Sequence, residues 1–143
     1  MPERVYADHA ASSPLRAEAL AAMMPWLTTR HGNPSSQHQD GQRARDAVEA
    51  ARKQVARRFG RLPSEVIFTS GATEALNLAI RAFARPGTEI IASAVEHPAV
   101  LETCRAMPST LRLIGVDSAG TLEPFLVAEN TALVAVMAVN NET

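Results

Sequence analysis

The chain has 143 residues, 46% of them hydrophobic, with 14 basic and 15 acidic side chains and a formal charge of −1, the composition of one globular domain or part of a larger one. This near-neutral balance argues against a dedicated nucleic-acid surface, although residues 52–61 are locally basic. Cys104 is the single cysteine, which excludes an internal disulfide, and no apolar run approaches the roughly 20 residues that span a bilayer.

Residues 1–12 read as an extended arm whose charges leave no secretion-signal core, so a cytoplasmic chain is expected. Ser13 and Pro14 predict a helix start, with Leu15, Ala19, Ala22 and Met23 on one face and Pro25 as its limit. The stretch TTRHGNPSSQHQDG reads as loop. The spacing of Ala44, Val48, Ala51, Val55 and Phe59 predicts a helix over 41–59, closed by Gly60 at the C′ position. Lys53, the one lysine, falls off that apolar face and is expected to point into solvent.

Val66–Phe68 predicts a first strand, and the small residues SGAT at 70–73 join it to a helix over 74–84. Strands follow at 89–93, 111–116 and 132–139, with helices at 98–107 and 123–129 between them. The last run, ALVAVMAV, is continuously apolar, as in a strand covered on both faces. The pattern predicts an α/β fold with a mostly parallel sheet and flanking helices. No helix follows the last strand, so the sheet is expected to be incomplete and to need a second copy or another chain.

Three strand ends carry polar groups. Ser70–Thr73 offer free N–H groups at a helix start, suited to a phosphate, or else form an ordinary capped turn. The Walker spacing and the three-glycine dinucleotide fingerprint are both missing there. His97, between a strand and Pro98, is placed to stack on a planar ligand or move a proton, or is a loop histidine bonded to water. Asn140 and Asn141 can each donate and accept, and Asn141 can donate to a phenolate-like oxygen on a cofactor ring, or the pair simply forms a turn. No metal site is assigned.

Taken in order, VYADHAASSPL, HGNPSSQH, IFTSGATEALNLAI, EHPAVLETCR and VNNET resemble the N-terminal part of a cysteine desulfurase. That family is a class V aminotransferase-like group of pyridoxal 5′-phosphate enzymes with the type I fold. The resemblance implies residues 13–143 are part of the large cofactor-binding domain. It implies that Ala72 and Thr73 hold the cofactor phosphate, that His97 stacks on the ring and assists proton transfer, and that Asn141 lies near the ring's 3′ oxygen. The family takes sulfur from L-cysteine, giving L-alanine and an enzyme persulfide for iron–sulfur cluster assembly or thiolated RNA bases, and works as homodimers. It also needs a lysine that holds the cofactor aldehyde and a sulfur-accepting cysteine, both of which the resemblance places beyond residue 143. Lys53 and Cys104 are poor substitutes, so the chain alone is expected to be inactive. The alternatives are a selenocysteine lyase or another class V transferase, a non-catalytic module that binds a phosphate ligand, and a split enzyme completed by a separately encoded C-terminal chain.

Overall fold

A computed structural model describes residues 5–140, so Asn141 lies outside the described residues. The chain forms two compact units, the first ending at Phe68 and the second beginning at Thr69.

The first unit holds helices α1 (Ala17–Thr28) and α2 (Gln39–Arg58) and a short 3-10 turn at Pro63–Glu65. α1 starts later than Ser13 and Pro14 suggest, with Arg16 as an N-cap whose side chain makes no capping bond and pairs with Glu18 instead. Pro25 lies inside it and does not end it: a proline lacks only its own N–H, and its carbonyl accepts from Thr29 and Arg30. None of its residues is buried, so the expected apolar face on Ala19, Ala22 and Met23 is uncovered.

α2 begins two residues early because the His38 imidazole accepts the Gly41 N–H. A side chain on Gly41 would meet the Ser36 carbonyl at 2.5 Å, so the preceding loop packs here only on glycine. At the far end Gly60 has φ 61°, and the Gly60 and Arg61 N–H groups donate to Arg57 and Ala56, which closes the helix with a Schellman motif. Only Gly41, Ala44 and Ala56 of α2 are buried, and Val48, Val55 and Phe59 of the predicted face are exposed. Lys53 is exposed, as its position implies.

The predicted strand at Val66–Phe68 does not form. Arg52 Nη1 donates to the Val66 carbonyl at 2.5 Å, and its guanidinium stacks on the Phe68 ring. A side chain thus takes the acceptor that a neighbouring strand would have used.

The second unit is an α/β layer: α3 (Ala72–Phe83), β1 (Glu89–Ser93), α4 (Pro98–Arg105), β2 (Thr110–Ile114) and β3 (Thr131–Ala135). The strands run parallel in the order β2-β1-β3, so β1 is central. Its Ile90, Ile91 and Ala92 are wholly buried, as the near-continuous apolar segment EIIAS requires. Ile80 of α3, its C-cap Ala84, and Val100 and Cys104 of α4 close on Ile90, with Leu111 and Leu133 at the flanks.

Two predicted elements are corrected. Residues 123–129 are not helical: Val116 and Leu122 form an antiparallel bridge around the Asp117 turn, and Arg112 Nη2 donates to the Leu126 carbonyl at 2.7 Å. A seven-residue helix is marginal by itself, and the Glu123 N–H is held by the Gly115 carbonyl in the turn that precedes it. β3 pairs only through Ala135, and Val134 and Val136 are exposed, not covered on both faces.

One ion pair ties the three strands together. Arg112 on β2 grips Glu89 on β1 through both Nε and Nη2, at 2.9 and 3.0 Å, and Thr131 of β3 donates to the same carboxylate. The Arg112 hydrogen bonds hold the Glu89 carboxyl below its ordinary range, with Thr131 adding to the effect. A depressed carboxylate stabilises the fold fully above its unfolded value, and that contribution is lost as pH falls through the lower folded value. Glu89→Gln is therefore expected to lower stability near neutral pH and to flatten the acid limb of the unfolding curve. Parallel acid limbs for parent and variant in a pH series of thermal melts would contradict this.

Candidate functional site

The polar candidates of the second unit gather at the carboxyl edge of its sheet. α3 ends beside the start of β1, where Ile80 and Ala84 meet Ile90, so the helix runs back along the sheet and its first turn lies toward the opposite edge. His97 follows β1 by four residues, and Asn140 follows β3 by five.

The junction folds as a helix start because Gly71 is extended, with φ 169°, and Ala75 N–H closes the first turn on its carbonyl. Ala72 and Thr73 are the first two helical residues, both exposed, and their N–H groups meet no acceptor among the described residues. Glu74 turns back instead and accepts from the Ser70 N–H at 2.6 Å and the Ser70 hydroxyl at 2.7 Å. The Ser70 N–H, followed by its hydroxyl, holds the Glu74 carboxyl below its ordinary range. The carboxylate thus seals Ser70, two residues before the helix, and leaves the amides of Ala72 and Thr73 open. An anion there would gain the positive end of the α3 dipole.

His97 is the N-cap of α4: its Nδ1 accepts from the Ala99 N–H at 3.1 Å. Accepting at Nδ1 assigns the ring proton to Nε2, which is left to face a ligand, since the side chain is exposed. The ring is therefore fixed by the helix it caps and can donate or exchange a proton at one nitrogen only.

Asn140 donates from Nδ2 to the Val95 carbonyl at 2.9 Å, which ties the end of β3 to the loop that carries His97. Glu96 in that loop is buried and accepts the Met137 N–H. Cys104 is more deeply buried than a partly covered helix position implies, at 1% exposure. Burial pushes its thiol up, and the Glu96 charge pushes it further.

Sequence reasoning missed Glu74 and Glu96. The spacing of Ser70 to Glu74, one residue beyond a capping box, is a signal for the first. Nothing local marks the second, whose partner is 41 residues away. The capping role of His97 could have been found from Pro98, since proline favours the first helical position.

The family model for class-V aminotransferases matches residues 5–143. A cysteine desulfurase IscS from Dictyoglomus turgidum is 40% identical over 153 residues, covering 99% of this chain and 39% of that protein. A cysteine desulfurase from Frankia sp. is 41% identical over 158 residues, covering 97% and 38%. A solved NifS-like protein superposes with a TM-score of 0.89 at 36% identity, covering 98% of this chain and 42% of that one. The chain thus spans about two fifths of the length of these relatives.

Cys104 is expected to react with a soluble disulfide reagent at least about a hundredfold more slowly in the folded chain than in denaturant, because both burial and its raised pKa suppress the thiolate. Equal rates in the two states would show that the thiol is accessible and activated.

Proposed function

The chain belongs to the class-V aminotransferase family, and on that premise we propose that it supplies the phosphate- and ring-binding part of a pyridoxal 5′-phosphate cysteine desulfurase. The single observation that carries this reading is the pair of open amides on Ala72 and Thr73, at the same sheet edge as an exposed His97 with its proton assigned to Nε2. The residues fit the cofactor in two respects. Open helix-start amides suit a phosphate, and a capped, orientation-fixed imidazole suits the face of a pyridine ring.

In this reading Ala72 and Thr73 bind the phosphate through main-chain N–H groups, and the Thr73 hydroxyl adds a donor. His97 lies against the ring, and its Nε2 passes a proton to or from bound L-cysteine. Asn141, which directly follows Asn140, donates to the ring's 3′ oxygen. When bound, the cofactor supplies an electron sink for cleavage of the carbon–sulfur bond. The lysine that anchors the aldehyde and the cysteine that accepts sulfur are assigned to the part of the relatives this chain does not span. Lys53, on exposed α2, has no role in the reading, and the chain alone is expected not to release alanine or sulfide from L-cysteine.

The exposed Val134 on edge strand β3 and Val136 just past its end support a polypeptide partner, either a second copy or a separately encoded chain. A cytoplasmic setting is supported by the single buried thiol, and among the described residues no helix is long and apolar enough to cross a membrane.

Ala72→Pro tests the phosphate assignment. Proline is tolerated at the first helical position and the extended Gly71 accepts it, so the helix survives while one donor is lost. A hydrogen bond to a charged group is worth about 1.5–3 kcal/mol, so the affinity for pyridoxal phosphate is expected to fall by about tenfold or more. Unchanged affinity, with helicity intact by circular dichroism, would place the phosphate elsewhere.

A further inference from the structure

Where β1 leaves the sheet, side-chain bonds take over from the ladder. β1 and β3 pair as far as Ala92 and Ala135. The β1 chain then turns away into α4, with the Ser93 hydroxyl accepting the Val95 N–H at 3.2 Å and the Ser93 carbonyl accepting the Glu96 N–H at 3.3 Å. Met137 lies two residues past the last pair, and its N–H is taken by Glu96 Oε1. Three residues further on, Asn140 Nδ2 donates to the Val95 carbonyl. Glu96 is 8% exposed. A carboxylate that is buried to serve a main-chain N–H persists only where its bonds offset its desolvation, and a neutral carbonyl would have served the N–H alone.

We propose that Glu96 is a positioning residue: its carboxylate, with the Asn140 amide, straps the segment leaving β3 to the loop that carries His97. The imidazole is fixed to α4 through Ala99, so its place follows the backbone at 96–98, and the strap anchors that backbone to the neighbouring strand end. What the held groups do rests on the cofactor reading above. The strap itself is a property of this chain and is measured without any cofactor.

The test is amide hydrogen exchange by NMR on the full chain and on Glu96→Ala and Glu96→Gln, followed by titration with pyridoxal phosphate and, separately, inorganic phosphate. Exchange at Met137 is expected to rise at least about tenfold in Glu96→Ala, with the β1 amides unchanged, and to rise less in Glu96→Gln, which keeps an acceptor oxygen. The affinity for pyridoxal phosphate is expected to fall more than that for inorganic phosphate, because the strap orients the ring contacts and not the start of α3. Unchanged exchange at Met137, exchange that rises equally at Ile91, or equal loss of both ligands overturns the proposal. Should Glu96→Ala not fold, Glu96→Gln and Asn140→Ala are read by the same measurements. If the parent chain binds no pyridoxal phosphate, the cofactor reading fails and exchange alone decides the strap.

Discussion

The second unit depends on β1 being hydrogen-bonded on both sides. A strand so placed has no free edge, and because successive residues Ile90, Ile91 and Ala92 are all wholly buried, both of its faces are covered as well. Its neighbours are set in register against it, with Ile90 opposite both Leu111 and Leu133. α3 and α4 then cover one face through Ile80, Ala84, Val100 and Cys104. The Glu89–Arg112–Thr131 cluster ties the three strands together where they begin, and their carboxyl ends stay free for chemistry.

At that carboxyl edge polar groups are committed in a graded way. Glu74 satisfies Ser70 and stops there, so the helix start keeps open amides with the favourable end of a dipole behind them. His97 spends one nitrogen on capping α4 and keeps the other. Glu96 and Asn140 each bond to the backbone of the other's segment. The groups that the proposed reading assigns to binding are left available, and Glu96 and Asn140 beside them are bonded.

Local pattern was enough wherever an element is stabilised by its own periodicity or burial. α2, α3, α4, β1 and β2 were all legible to within a few residues because apolar spacing, proline and glycine mark them. The failures share a cause. Val66–Phe68 has strand composition, but Arg52, 14 residues earlier, takes its acceptor. Residues 123–129 read as a short helix, but Leu122 and Glu123 pair back with Val116 and Gly115. ALVAVMAV looks like one long strand, but its partner turns away after Ser93, so pairing stops at Ala135. At the site, the small residues at 70–73 and the position of His97 were visible from type and spacing. The retreat of Glu74 onto Ser70 is local, and its spacing is a signal that the pattern reading missed, whereas the reach of Glu96 to Met137, 41 residues away, is set by tertiary packing.

The central claim is that the opening turn of α3 grips the phosphate of a planar cofactor lying against His97. Its most direct measurement is amide chemical-shift mapping on the isotope-labelled chain as pyridoxal phosphate is added. The account predicts that the Ala72 and Thr73 amides move together with the His97 ring protons, at a single affinity. Shifts confined to the exposed arginines of α2, with the α3 amides and the imidazole unmoved, would contradict it.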